Sequence, residues 1–269
     1  MAGFILLEKV KVFYHCPSIS FSMYTFKEKT RISSGLEHCI RKIGCFLYLL
    51  LPLYSVAQAP VTNQRLFDTI PFIPEHGAQR LSLFAKEPVS TGGIIFLGNS
   101  ITEGGDWKKL TGVSTAVNRG VGGDITFGVL ARLDDIIKQQ PSKLFILIGI
   151  NDIGKDIPDA VIADNVRKII HRIQQESPAT KIYLQSILPV NPTVQNFPQH
   201  YDKQEHVIAT NKLLKNVAAA SSGVTFINLV PLFQDRNKRL SANYTREGLH
   251  LTKDAYTIWV QYLKNKKYL

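Results

Sequence analysis

Cysteine disappears early in this chain. All three copies (Cys16, Cys39, Cys45) fall within the first 45 of 269 residues. A disulfide framework or a thiolate metal site is therefore excluded from everything beyond Pro60. Blocks of like charge are also lacking. The formal net charge is +11; residues 1–59 hold seven Lys/Arg against three Asp/Glu, a net of +4, which leaves +7 spread along the remainder. A nucleic-acid footprint needs clustered cations, and only Lys264-Asn265-Lys266-Lys267 comes close. That tail reads as a solvated helix end, where cations suit the helix dipole, so no nucleic-acid partner is expected. There is no internal repeat and no low-complexity tract. The apolar run 43–53 falls short of the roughly 20 residues that span a bilayer.

That run has a different meaning. Arg41-Lys42 precede it, and Tyr54-Ser55-Val56-Ala57-Gln58-Ala59 follow, closing on Ala-x-Ala. A basic flank, a short apolar stretch and small residues at a cleavage point make a secretory signal. We expect a leader over 1–59 cut after Ala59, an exported protein (periplasmic or extracellular), and no stable membrane insertion after cleavage. The signal sits far from Met1, which points to a start at Met23, the only other methionine; a long n-region or an uncleaved anchor are the alternatives. Cys45 lacks the small-residue pattern of a lipoprotein site.

Residues 60–269 read as one domain. The stretch 60–88 is interrupted by Pro71, Pro74 and Gly77, covers a sheet edge with its apolar residues, and has a short helix over 79–86. Beyond it, strand and helix signals alternate. Strands are expected at 94–97, 114–118, 144–148, 181–188 and 224–229. Helices are expected at 126–139, from Pro158 to 177, at 206–220 and at 252–264, with a loop rich in Pro and Asn over 189–204. Such alternation implies a parallel sheet with right-handed crossovers and helices on both faces, an α/β three-layer α/β/α sandwich.

Four strand ends carry polar residues of chemical interest. The apolar run Ile94-Ile95-Phe96-Leu97 leads into Gly98-Asn99-Ser100. In an open α/β sheet, ligands gather at the carboxyl ends of the strands. A serine on a tight turn there presents its Oγ near backbone N–H groups able to hold an oxyanion, although Gly-Asn-Ser is also ordinary turn chemistry. Gly120-Val121-Gly122-Gly123-Asp124 fails as a dinucleotide fingerprint, because the third glycine would fall at Ile125. It reads instead as a turn with bare N–H groups facing a ligand, or simply as a turn needing φ > 0. Gly149-Ile150-Asn151-Asp152 ends the most apolar strand and offers an amide donor, or a helix cap. Finally, Glu247-Gly248-Leu249-His250 sets a carboxylate three residues before a histidine, which reads as a pair that fixes the imidazole in one tautomer and leaves the other nitrogen as base, or as a plain surface contact. His76, His171, His200 and His206 lack that context.

In this order and spacing, Gly98-Asn99-Ser100, Gly123, Asn151 and Glu247/His250 resemble the SGNH hydrolases, also called GDSL esterases. The likeness spans residues 90–265. Its wording at Gly-Val-Gly-Gly-Asp is most similar to the branch with platelet-activating-factor acetylhydrolase and bacterial carbohydrate esterases. The resemblance implies a flavodoxin-like sheet of five parallel strands and a serine esterase working without metal or organic cofactor. Ser100 would be the nucleophile, His250 the general base and Glu247 the triad acid. The oxyanion hole would be the N–H of Ser100, the N–H of Gly123 (Gly122 if the turn is shifted) and the side-chain amide of Asn151. Two positions depart from the family pattern: Asn99 stands where an aspartate is common, and Glu247 replaces the aspartate before the histidine. Glutamate does the same orienting work in other hydrolase triads.

The absence of a lid-like insertion favours a small acyl group, and we expect an O-acetyl ester of a carbohydrate. Asn191, Gln195, Asn196, Phe197, His200 and Tyr201 in the 189–204 loop are the expected substrate-reading edge. The alternatives are a short-chain lipid or phospholipid acylhydrolase, an acyltransferase, and a catalytically silent carbohydrate-binding module on the same fold. Sequence leaves the oligomeric state open.

Overall fold

Five short stretches pair into one sheet, and the central three are apolar and almost wholly buried on both faces. The computed structural model describes residues 74–269 apart from Gln195. The expected leader over 1–59, its cleavage point and the boundary at Pro60 lie outside the described residues. The strands are β1 (Ile94–Gly98), β2 (Ala116–Gly120), β3 (Lys143–Leu147), β4 (Lys181–Gln185) and β5 (Val224–Ile227). Their order is β2-β1-β3-β4-β5, and every neighbouring pair is parallel. The helices include α1 (Glu75–Lys86), α2 (Thr126–Ala131), α3 (Leu133–Ile137), α4 (Asp159–Glu176), α5 (Gln204–Ala219) and α6 (Lys253–Asn265), with shorter helical turns between them. The result is the expected three-layer α/β arrangement. Among the described residues no helix is long and apolar enough to cross a membrane.

Strand alternation sorts the core into two halves. Phe96, Phe145 and Tyr183 are direct partners across β1, β3 and β4. Their rings stack at 4.9 and 4.7 Å, and Trp107 lies flat on Phe96 at 3.8 Å. Trp259 of α6 meets Trp107 edge-on at 5.1 Å and donates its indole N–H to Gln185 at 2.7 Å, which places α6 over this face. α4 packs against α2, α3 and α5 in the other layer, and its Ile162, Val166 and Ile169 are fully buried. Helix α1 lies along the β2 edge: Arg80 donates to the Gly120 carbonyl at 3.1 Å, and the Arg119 guanidinium rests 4.5 Å from the Phe84 ring centre.

Several boundaries differ from expectation, most of them because a polar group takes a backbone partner. The strand expected at 114–118 runs two residues later. A turn closed by the Ala116 N–H on the Val113 carbonyl (3.0 Å) occupies the intervening residues. The strand expected over 181–188 stops pairing at Gln185, because the Asn211 side chain of α5 takes both the N–H and the carbonyl of Ile187. β5 ends at Ile227, since the Leu229 N–H turns to Ser186 Oγ at 2.9 Å. The single helix expected over 126–139 is broken at Arg132, whose φ of −117° leaves the helical range while its side chain reaches inward. Helix α1 starts at Glu75, earlier than 79.

The strand order reverses direction at β1. Its successor β2 lies on one side, and β3, β4 and β5 continue on the other. The crevice at the carboxyl ends of β1 and β3 is the topological switch point where doubly wound sheets hold ligands.

Candidate active site

Ser100 opens the helical turn Ser100–Glu103 directly after β1. Asn99 caps that turn, its Oδ1 accepting from the Ile101 N–H at 3.0 Å. Asparagine thus does the capping work, with no charge buried beside the serine. Across the crevice, His250 Nε2 lies 2.8 Å from Ser100 Oγ. On the other side of the ring, His250 Nδ1 is 3.1 Å from Glu247 Oε1 and 3.4 Å from Oε2, and the same carboxylate accepts from the His250 backbone N–H. One glutamate therefore holds both the ring and the main chain of the histidine. The longer side chain permits this across three residues.

The turn after β2 decides between two adjacent N–H groups. Gly122 donates to Glu103 Oε2 at 2.6 Å, so its N–H is spent. The N–H groups of Gly123 and Ser100 have no acceptor among the described residues. Asn151 begins just beyond β3, in the helical turn Ile150–Gly154. Its Nδ2 donates one hydrogen to the Asp124 carbonyl at 2.9 Å, and its Oδ1 faces His200 Nε2 at 3.2 Å. A half-open pocket of about 170 Å³ is lined by Gly123, Asn151, Gly154, Lys155, Gln199 and His200. A larger hollow of about 730 Å³ lies elsewhere, between the ends of α4 and α5 beside His171.

Beneath these groups lies a polar framework that sequence reasoning missed. Asp124 Oδ2 pairs with Arg132 Nε at 2.9 Å, and Arg132 also donates to the Gly98 carbonyl at 3.0 Å. Both side chains are buried. Burial raises the Asp124 pKa and the arginine opposes it. The pair ties the β1 turn to the β2 turn, and the Asp124 carbonyl then ties both to Asn151. Asp152 is fully buried and accepts from the Thr126 N–H at 3.0 Å and from Thr126 Oγ1 at 2.5 Å. Desolvation pushes its carboxyl up to about 7. The adjacent Gly-Gly-Asp and Asn-Asp pairs were visible as turn residues, but nothing local in the sequence says that Arg132 and Thr126 complete them.

The expected substrate-reading loop is largely structural. Asn191 is buried, donating to the Leu240 carbonyl at 2.8 Å and accepting from Thr193. The Tyr201 hydroxyl accepts from the N–H groups of Asn196 and Phe197 and donates to the Val194 carbonyl. His200 is buried behind Asn151. Asn191 and Tyr201 are struts of the loop, because their filled hydrogen-bond capacity leaves them little to offer a substrate, whereas His200 borders the small pocket beside Asn151. Phe197 does reach the site, edge-on to the His250 ring at 5.3 Å. Asn196 is exposed, and Gln195 lies outside the described residues. His76 pairs with Glu103 at 2.8 Å near the Gly122 turn, and His206 pairs with Asp159 at 3.2 Å. Among the described residues no group of three or more His, Cys, Asp or Glu is placed to hold a metal ion.

Comparison with known proteins gives this geometry its context. The family model for GDSL-like lipase/acylhydrolase proteins matches residues 96–258. Platelet-activating factor acetylhydrolase IB subunit alpha1 of Bos taurus is 24% identical over 179 residues, covering 64% of this chain and 72% of that protein. A Streptococcus pneumonia structure, provisionally described as a platelet activating factor, is 31% identical. It covers 70% of this chain and 89% of that one, with a TM-score of 0.62. An acetylxylan esterase from Geobacillus stearothermophilus, solved as a catalytic mutant, shares the fold at 19% identity and a TM-score of 0.51, covering 66% of this chain and 94% of that one. With the matched region taking in every strand end described above, the chain belongs to the GDSL-like lipase/acylhydrolase family and is a carboxylic ester hydrolase.

Proposed function

We propose that Ser100, His250 and Glu247 form the catalytic triad of an exported esterase that removes small acyl groups, chiefly O-acetyl, from carbohydrate. In this reading Ser100 Oγ attacks the ester carbonyl while His250 Nε2 takes its proton, and Glu247 stabilises the imidazolium that forms. The negative charge moves onto the former carbonyl oxygen. The N–H groups of Ser100 and Gly123 and the second Nδ2 hydrogen of Asn151 hold it there, each well-aimed donor contributing about 3 kcal/mol. As the carbonyl re-forms, the ester C–O bond breaks and His250 passes its proton to the leaving alcohol. Water then adds to the acyl-serine with His250 as base, and release of the acid restores Ser100.

The observation that carries the acyl preference is the pocket beside Gly123 and Asn151. Its volume of about 170 Å³ is well below the roughly 300–1,000 Å³ of sites for drug-sized ligands. No Val, Leu, Ile, Met, Phe, Tyr or Trp side chain lines it, so a long acyl chain would find little hydrocarbon to pack against there. On the alcohol side, the His250 side chain is 36% exposed, which leaves space for a bulky sugar. The names of two relatives, an acetylhydrolase and an acetylxylan esterase, are in keeping with an acetyl donor. The signal-like leader supports export of a mature chain beginning at Pro60.

The test is acetate release from a panel of O-acetylated sugars and polysaccharides, set against p-nitrophenyl esters of increasing chain length and a short-chain phospholipid. Preference for acetyl over longer acyl chains together with turnover of acetylated sugar fits the proposal. Preference for the phospholipid would move it to the lipid branch. N-terminal sequencing of the exported protein checks the cut after Ala59.

A further inference from the structure

An asparagine can serve an oxyanion only if its amide nitrogen, and not its oxygen, faces the reacting atom. The two ends of the amide are nearly equal in shape, so the choice must be imposed by neighbours. For Asn151 there are two. The Asp124 carbonyl, an acceptor only, takes one Nδ2 hydrogen at 2.9 Å. On the other end, Oδ1 lies 3.2 Å from His200 Nε2. Because Oδ1 only accepts, His200 must carry its hydrogen on Nε2, which leaves Nδ1 unprotonated. Turning the amide over would set oxygen against the Asp124 carbonyl and N–H against N–H, two repulsive contacts in a buried site.

The ring is held for this task. His200 is only 5% exposed and ends the 3₁₀ turn Pro198–His200. Phe197 meets it edge-on at 6.1 Å while also touching the His250 ring. Gly154 lies against its inner edge, where a Cβ would come within 2.8 Å of the imidazole. His200 Nδ1 is buried with no partner, so a second proton would create an orphaned N–H. Burial first, then the charges of Lys203, His250 and Lys155, press its pKa down to about 4. The ring therefore stays neutral, in one tautomer, across the range in which His250 must act, and adds no charge opposing the imidazolium there.

We propose that His200 is a positioning residue that locks the Asn151 amide with its free N–H toward the oxyanion. The proposal rests on the reading of Asn151 as an oxyanion donor. It places part of the catalytic apparatus in the 189–204 loop, whose histidine has no signature in the sequence.

The test is a double-mutant cycle on the full chain with p-nitrophenyl acetate, using His200→Phe, His200→Gln, Asn151→Ala and His200→Phe/Asn151→Ala. Losing a whole oxyanion donor costs roughly 10²–10³ in kcat. We expect His200→Phe to lose about tenfold in kcat with KM little changed, as suits a donor misaimed but still present. His200→Gln, whose side-chain N–H can replace Nε2–H, should restore most of that rate. Its kcat should follow the parent's pH profile between about pH 5 and 8, since His200 does not titrate there. In the Asn151→Ala background, His200→Phe should cost nothing further. Gly154→Ala, which pushes the ring without touching Asn151, should lower kcat in the same manner and serves if His200→Phe does not fold. Full activity of His200→Phe or of Gly154→Ala, or an equal loss with and without Asn151, overturns the positioning role. Parent-like activity of Asn151→Ala overturns the underlying reading of Asn151 itself.

Discussion

Gly248 and Asn191 press their backbones together: a Cβ on Gly248 would lie 2.4 Å from the Asn191 carbonyl oxygen. The same two residues are joined by the Asn191 N–H donating to the Gly248 carbonyl at 2.8 Å. Gly248 also has φ +90°, a conformation that side chains resist. It stands between Glu247 and His250, so this contact sets where both of them point. Gly248→Ala should lower stability by about 2–3 kcal/mol through strain and clash. It should also lower kcat, because the histidine loop has to move. Thermal or denaturant unfolding together with steady-state kinetics checks both effects.

Glu247 accepts from the His250 backbone N–H and faces Nδ1 of the same residue. Replacing it by Gln keeps the size but presents an N–H that cannot hold the productive tautomer. By analogy with the loss of the acid in serine protease triads, kcat should fall by about 10²–10⁴-fold. Glu247→Asp shortens the side chain by one methylene and should lose less than Glu247→Gln. Kinetics of the two variants on one ester decide this. Equal activity of Gln and parent would remove Glu247 from the mechanism.

Arg132 sits under the site with Asp124 as its buried ion partner. Asp124→Ala would leave that guanidinium charged and without its carboxylate, with the Gly98 carbonyl as its remaining hydrogen-bond partner among the described residues. The expected cost is about 3–5 kcal/mol. Urea titration reads it directly. A double replacement, Asp124→Ala with Arg132→Met, should recover part of the loss.

Asp152 makes stability depend on pH in a defined direction. Its folded pKa, near 7, is above the ordinary carboxyl value of 3.8, so the folded state keeps a proton that the unfolded chain has already released. The stabilisation is full below about pH 4 and is lost as pH rises through about 7. Asp152→Asn keeps a neutral acceptor for Thr126 and abolishes this dependence. The stability difference between variant and parent should therefore grow across that window by on the order of a few kcal/mol, as measured by urea unfolding at a series of pH values. His200 acts in the opposite sense, because its folded pKa near 4 is below the ordinary imidazole value of 6.5. It contributes stability that is lost as pH falls from about 6.5 to about 4. Comparing variants at each site separates the two contributions.

How much of this was legible beforehand follows from how local each cause is. β3 is apolar along nearly its whole length, and Gly98-Asn99-Ser100 and Gly149-Ile150-Asn151 follow their strands directly, so strand and site could be read together. Strand order was not visible in the residues themselves. Two of the misplaced boundaries have causes far along the chain or in another element: Asn211 on α5 ends the pairing of β4, and Arg132 leaves its helix to reach Asp124 and Gly98. The loop over 189–204 looked like a sugar-reading edge because it holds amides and aromatics. Composition cannot tell an outward asparagine from Asn191, which spends its side chain on Leu240 and Thr193. His200 was read as part of that edge and not as the partner of Asn151, which lies 49 residues away.

In the proposed mechanism Ser100 is the nucleophile, activated by His250 at 2.8 Å. The most direct measurement is acetate release from p-nitrophenyl acetate and O-acetylated sugars by residues 60–269, beside Ser100→Ala folded to the same thermal stability. The expected result is turnover by the parent and, for Ser100→Ala, a fall of about 10⁴-fold or more, to the residual rate left by the oxyanion donors alone. A well-folded parent protein with no more activity than Ser100→Ala on every ester, or a Ser100→Ala variant as active as the parent, would contradict it.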